Sequence, residues 1–392
     1  MAAILFFLFV FLKQFYIFPS GSLGVADICL AGCFLVLIFE GRKAKKPFLN
    51  RKTDLLFCLF LVFVILINGS YGLYGRNLEY FKYSLFWIYN GCAIWSFQRL
   101  SEAGGKRFFS YLNLVVKGNI VIQLVVMLSR HGRVFEEYWG ATRYMGTFND
   151  PNQLAFFLFM MILLSYMYRC CFEDKTFWIF FVLGFPVVLA SKSTGILLGI
   201  GVFLLSVLLC QVFKVYRSRK YSGKVWFISG VCISAVSAAF LIWIWPPSDF
   251  SVQAVEYNML TRIQEKIWKV AHGGLLGMIL DRGIEKILVY PEYLVLGAGE
   301  GGFERFALVS QVNEIHSSFL SIWFCYGTIP AVTLAVWVFD SLKKMRGRMW
   351  CAAAALLAES FLLVNYRQPM FWMILMYGWV TIEFVPKRTT SK

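Results

Sequence analysis

The sequence predicts an all-α polytopic membrane protein of about twelve transmembrane helices, with one long polar loop between the ninth and the tenth. Three observations carry that expectation. Hydrophobic residues make up 59% of the 392 positions and charged residues only 15%, with a mean hydropathy of +0.65, far from the composition of a water-soluble domain. The apolar residues fall in runs of roughly 20, the length a helix needs to cross the hydrocarbon core. The basic residues fall in short clusters between those runs, as the positive-inside rule describes. That placement, and not nucleic-acid binding, accounts for the net charge of +16.

Taken in order, the runs place spans at 2–18, 23–40, 55–71, 79–97, 110–129, 153–169, 177–190, 195–213, 225–245, 317–338, 349–366 and 369–385. The first lacks a small-residue cleavage site and many similar runs follow it, so it reads as a span and not as a removed signal peptide. With the N-terminus inside, the inner segments collect Arg42, Lys43, Lys45 and Lys46, then Lys214, Arg217, Arg219 and Lys220, then Lys343, Lys344, Arg346 and Arg348. Short outer segments hold few basic residues. Both termini are therefore expected in the cytoplasm and the loop 246–316 outside. No internal repeat, low-complexity stretch or separate soluble domain stands out, so residues 1–392 read as a single integral membrane domain.

The ten cysteines lie in apolar runs or at their ends, with no CxxC pair and none in the long loop. They read as small buried hydrophobes, with neither a disulfide framework nor a metal site indicated. The three scattered histidines likewise give no metal constellation. Charges inside spans are costly and usually face a partner. Lys13 and Asp27 sit at matching depths below one turn, so they are expected to pair, chiefly as a structural staple. Lys82, Lys117 and Glu359 are also placed inside the membrane, with partners that the sequence does not identify.

The polar stretch 246–316 cannot sit in lipid and holds most of what could do chemistry: Arg262, His272, Arg282, the glycine-rich run Gly297 to Gly302, and His316 at the mouth of the tenth span. The glycine run is not a dinucleotide fingerprint, because an outer loop supplies no βαβ unit. It suits tight backbone turns instead. His316 stands among Asn313, Glu314, Ser317 and Ser318, and with an unperturbed pKa of about 6.5 an imidazole there is suited to accept a proton near neutral pH. The structural reading, a histidine satisfied by its neighbours, explains such a residue as well.

A second outer segment, 130–152, ends Arg143-Tyr144-Met145-Gly146-Thr147-Phe148-Asn149-Asp150-Pro151-Asn152-Gln153. Asp150, then Pro151, then Gln153 reads as a helix start: a capping carboxylate, proline in the first turn and an amide three residues on. Arg143 is not explained by that cap. An arginine at a membrane boundary commonly meets a lipid headgroup. The alternative is that its planar fork binds a phosphate group in two-point fashion.

Taken together and in this order, these residues resemble the bacterial O-antigen polymerase and O-antigen ligase superfamily over most of the chain. The most specific piece is Arg143 followed by Gly146 to Asn152 at the start of a span. Next come Gly297-Ala298-Gly299, His316-Ser317 and Gly327, with Arg282 upstream, and the ending Asn365-Tyr366-Arg367-Gln368-Pro369-Met370-Phe371-Trp372. Thr194, in Ser191-Lys192-Ser193-Thr194-Gly195, stands where the family often carries arginine, so no role is carried there. The spacing from Arg282 to Gly297 is short, which leaves Arg262 as a rival for the second arginine.

The resemblance implies a GT-C-like fold and a glycosyltransferase that polymerises oligosaccharide repeats carried on undecaprenyl diphosphate into O-antigen or capsule-type polysaccharide. It implies work at the outer face of the bacterial cytoplasmic membrane, inversion at the anomeric carbon, no metal or other cofactor, and a chain-length regulator and a flippase as partners. His316 is then the base, Arg143 and Arg282 the cations facing the departing diphosphate, and Arg262, Arg367, Asn152 and Asp150 substrate-binding residues. Two rival readings stand beside it: a ligase passing the same glycan once to a lipid or protein acceptor, and a lipid-linked oligosaccharide flippase. The lack of a repeat and the gathering of candidate residues at one boundary weigh against the flippase.

Overall fold

The computed structural model describes residues 1–16, 24–43, 52–136, 142–217, 238–239, 241–248, 250, 258–274, 276–277, 282–310, 313–382 and 384. The chain is mostly helical. Its first half runs α1 (Ala2–Leu12), α2 (Val25–Lys43), α3 (Lys52–Tyr74), α4 (Glu79–Leu128), a two-stranded antiparallel hairpin of β1 (Arg133–Glu136) and β2 (Thr142–Gly146), α5 (Pro151–Phe172), α6 (Phe177–Ala190) and α7 (Thr194–Arg217). Then come α8 (Met259–Ala271), the short α9 (Glu285–Val289) and α10 (Tyr293–Leu296), a 3₁₀ turn (Phe303–Phe306), α11 (Ser318–Tyr326), α12 (Thr328–Lys343), α13 (Met349–Ser360) and α14 (Pro369–Val380). The hairpin is a departure from the all-α expectation.

Among the described residues, four helices are long and apolar enough to cross a membrane: Asp54–Tyr74, Glu79–Leu128, Pro151–Phe172 and Thr194–Tyr216. Shorter apolar helices cover Ala2–Leu12, Phe177–Ala190, Met349–Ser360 and Pro369–Val380. Most of the expected ninth span, 225–245, lies outside the described residues. In α5, 78% of the most apolar window is buried, against 33% or less in the other three, so α5 lies in the interior and the others expose apolar flanks.

Helix α4, 50 residues long, would reach ~75 Å if straight, at ~1.5 Å per residue. It is not straight. Gly105 has φ of 51°, a left-handed conformation that its missing Cβ permits, and there the helix turns back on itself. Residues on both sides of Gly105 consequently meet the same end of α1: Lys13 Nζ donates to Tyr89 Oη at 3.2 Å, while Asn119 Nδ2 donates to the Val10 carbonyl at 3.0 Å. The Phe97 and Phe108 rings face each other at 6.0 Å across the bend. The sequence places two spans here, 79–97 and 110–129. The helical geometry runs through the expected inner loop and breaks only at the glycine.

The expected tenth span, 317–338, is interrupted. Gly327, with φ of 77°, separates α11 from α12. The carbonyls freed at the end of α11 accept from the glycine-rich run: the Ala298 N–H donates to Phe324 O at 2.9 Å and the Gly299 N–H to Cys325 O at 2.7 Å. Non-helical backbone of this kind is tolerated in a membrane protein where protein surrounds it and satisfies it. Two backbones touch here: a Cβ on Gly327 would stand 2.4 Å from the Val295 carbonyl oxygen, and one on Gly297 would stand 2.7 Å from the Tyr326 carbonyl carbon. The helix of the expected span 349–366 also stops early, at Ser360, leaving 361–368 as a turn.

The core beneath this turn is aromatic. The Trp87 ring stacks on Tyr366 at 5.2 Å and meets Phe60 edge-on at 4.7 Å, and Trp337 packs on Trp372 at 5.7 Å. Lys13 and Asp27 pair at 2.9 Å, as their depths suggest, and the Tyr89 hydroxyl donates to the same carboxylate oxygen at 2.5 Å. Lys117 finds Asp174, in the α5–α6 connection, at 2.5 Å. Glu359 is fully buried and accepts from Asn365 Nδ2 at 2.5 Å. Lys82 lies over the Phe86 ring. The nine cysteines among the described residues are free thiols.

Candidate functional site

Polar side chains gather at the end of the helices where α1 stops and α5 and α7 begin. Strand β2 brings Arg143 there, paired across the hairpin with Phe135. The Arg143 side chain is 6% exposed; its Nε donates to the Ser191 carbonyl at 2.9 Å and its Nη2 to Asn152 Oδ1 at 2.8 Å. Asn152 is held by the helix start that the sequence signals. Asp150 Oδ1 accepts from the Asn152 N–H at 2.8 Å and the Gln153 N–H at 3.0 Å, with Pro151 opening the helix. So Asp150 orients Asn152 and Asn152 orients the guanidinium. Both act through Arg143 in this geometry.

Arg143 meets the α6–α7 connection at Ser191, and three residues on the same connection meets α8. Lys266 Nζ donates to Thr194 Oγ1 at 2.7 Å. The α8 helix is held by a reciprocal cap between Asn258 and Thr261, which sets Arg262 and Lys266 one turn apart on it. Arg282 lies close by and donates from its guanidinium to the Leu362 carbonyl. That carbonyl belongs to the 361–368 turn, which backs onto α7: a Cβ on Gly195 would stand 3.0 Å from Leu363 Cδ1.

His316 is tied to the same place. Its backbone N–H donates to the Arg282 carbonyl at 2.8 Å. The ring is open to solvent, yet the protein packed around it, then the Arg282 guanidinium, hold the imidazole below its usual pKa; Lys286 adds to that and Glu314 opposes it. A neutral imidazole at pH 7 has a free lone pair and is a base. The 313–316 segment is pinned on either side as well, because Lys286 Nζ donates to the Asn313 carbonyl at 2.8 Å and Arg367 Nη1 reaches both oxygens of Glu314 at 3.0 and 2.9 Å.

Arg367 therefore faces carboxylates. Its Nε donates to Glu300 Oε1 at 2.7 Å, and its guanidinium lies 4.6 Å from the centre of the Tyr83 ring. Glu300 is fully buried inside the glycine-rich run, where the Tyr366 hydroxyl donates to it at 2.7 Å, the Tyr326 hydroxyl also donates, and its N–H donates to Asn68 Oδ1 at 2.8 Å. In the sequence that run stands out for its glycines and Glu314 only as a neighbour of His316; neither Glu300 nor Glu314 is joined there to Arg367. The available signal was Arg367 itself, a cation beside an aromatic core that needs a counter-charge.

The structure thus brings Arg143, Asp150 and Asn152, and separately Arg282, Arg262 and His316, to one end of the helices, linked through the 191–195 and 361–363 backbones. His272, at the C-terminal end of α8, stacks on Trp268 at 4.3 Å. Among the described residues no group of three or more His, Cys, Asp and Glu is placed to hold a metal ion. Beside Asn152 runs a crevice lined by Lys13, Tyr16, Phe148, Gln153, Phe156, Phe157, Met160, Gln368 and Met370, which mixes aromatic faces with amide and ammonium groups.

Fold and site together define a largely helical, membrane-embedded protein with a cationic, histidine-bearing site at one end. Comparison with models of known protein families and with curated proteins finds no match to this chain.

Proposed function

We propose that this chain is a glycosyltransferase that polymerises oligosaccharide repeats carried on a polyprenyl diphosphate, at the outer face of a bacterial cytoplasmic membrane with both termini inside. The observation that carries the reading is the tie between His316 and Arg282, a neutral base and a cation joined through one backbone hydrogen bond at the same end of the helices as Arg143. Transfer of a sugar from a lipid diphosphate needs those two properties. A hydroxyl of the acceptor attacks the anomeric carbon and passes its proton to His316; the bond from that carbon to the diphosphate oxygen breaks, and the electron pair leaves with the diphosphate. Preorganised cations lower the barrier by meeting the charge that develops there, and Arg143 and Arg282 are assigned that role. Attack opposite the diphosphate inverts the anomeric centre.

Arg262, one turn from Lys266 on α8, is the rival for the second cation. The carboxylate partners of Arg367 favour a different part for it, holding the His316 segment through Glu314. The test is reconstitution with lipid-linked repeat units alone. Ladder-like products lost in both His316→Ala and Arg143→Ala, with membrane insertion intact, support polymerisation; wild-type ladders in either variant refute the assignment. Transfer of one glycan to a lipid or protein acceptor without ladders favours the ligase reading, and flipping without transfer favours a transporter.

A further inference from the structure

Lys266 is the neighbour of this site that the mechanism has not used. Its ammonium is half-buried and donates to a hydroxyl, Thr194 Oγ1, at 2.7 Å. Among the described residues no carboxylate pairs with it: Glu265, next to it on α8, is taken by Lys269 at 2.7 Å. Among the described residues, the charged groups around it are Arg262, Glu265 and Lys269 from its own helix and Arg282 from the following segment, so three of these four are basic. Thr194 also begins α7, a helix of 24 residues whose N-terminal end adds positive partial charge.

Such crowding of like charge costs energy. Burial, then Arg282 and Arg262, push the ammonium down to about 8. An oxyanion arriving among these groups would reverse the cost, since each cation would gain a charge-assisted hydrogen bond. We infer that Lys266, held on Thr194, is a third cation for the phosphate oxyanion that Arg143 and Arg282 bind. The inference rests on the proposed reading of those arginines as diphosphate ligands, and it adds a lysine to them.

The experiment uses the full chain in phosphatidylcholine nanodiscs, with farnesyl diphosphate as probe and inorganic pyrophosphate as the arm that separates the phosphate group from its lipid. Lys266→Met is expected to weaken both by tenfold or more while its thermal unfolding stays that of the wild type. Thr194→Val, which removes the hydroxyl holding the ammonium, is expected to weaken them less. Wild-type affinity should fall between pH 7 and pH 9 as the ammonium loses its proton, and Lys266→Arg should flatten that fall. If Lys266→Met and Thr194→Val bind like the wild type while Arg143→Ala does not, the lysine assignment is wrong and the site reading stands. If the wild type binds neither probe, both fail together.

Discussion

The backbone N–H of His316 donates to the carbonyl of Arg282 at 2.8 Å, so a candidate base and a candidate phosphate ligand are joined backbone to backbone. The arginine also acts on the imidazole through space, since after burial its charge is the next cause of the lowered pKa.

That coupling predicts a pH profile. With the histidine pKa below its ordinary value, the acid limb of transfer activity should lie below about pH 6.5, because the base works only when neutral. Arg282→Ala removes a positive neighbour, so the pKa should rise and the acid limb should move to higher pH, on top of any loss in rate. His316→Ala should lose the limb and about 10²–10⁴-fold of the rate. An acid limb that stays in place in Arg282→Ala, measured as initial rate against pH, refutes the coupling.

Arg367 lies between Glu300, buried, and Glu314, partly exposed. Arg367→Ala leaves a carboxylate buried without its cation, which costs about 3–5 kcal/mol. Thermal unfolding in detergent should show a clear drop. Glu300→Gln in the same background should recover part of it, because a neutral amide needs no counter-charge. A single variant as stable as the wild type would mean that the triad does not hold the turn.

Gly327→Ala tests the broken helix. The position has φ of 77°, and the added methyl would stand 2.4 Å from the Val295 carbonyl oxygen, which is backbone and cannot swing aside. The substitution should cost more than about 1 kcal/mol. A continuous helix through 318–343, seen as unchanged stability with alanine at 327, would contradict the interruption.

Asp174 predicts an acid-sensitive joint. Burial opposes its charge, but hydrogen bonds from Lys117 and from the Thr176 N–H and hydroxyl outweigh it and bring the pKa down to about 2. A depressed carboxylate pKa stabilises the fold above the unfolded value of about 3.9, and that contribution is lost as pH falls from there through the folded value. Unfolding should therefore steepen between about pH 4 and pH 2. Lys117→Met should shrink the acid dependence in that window; identical acid titrations for the two proteins would remove Lys117 as its source.

What the sequence determined by itself was local or set by depth. Apolar runs of bilayer length announced helices because a backbone in lipid must satisfy its own hydrogen bonds. The cap at Asp150 was legible because a capping carboxylate and its amides lie within three residues of each other. The Lys13–Asp27 pair was legible because two charges flanking one turn have little choice of partner.

Only the tertiary structure decided the partners drawn from distant segments: Glu300 and Glu314 for Arg367, Asp174 for Lys117, Thr194 for Lys266 and Arg282 for His316. It alone showed that the tenth apolar run breaks at Gly327, since hydropathy counts side chains and does not see carbonyls handed from a helix to a glycine loop. The physical reason is common to both. Away from water a charge or a bare carbonyl must find whichever group packing brings to it, and separation along the chain says nothing of which group that is.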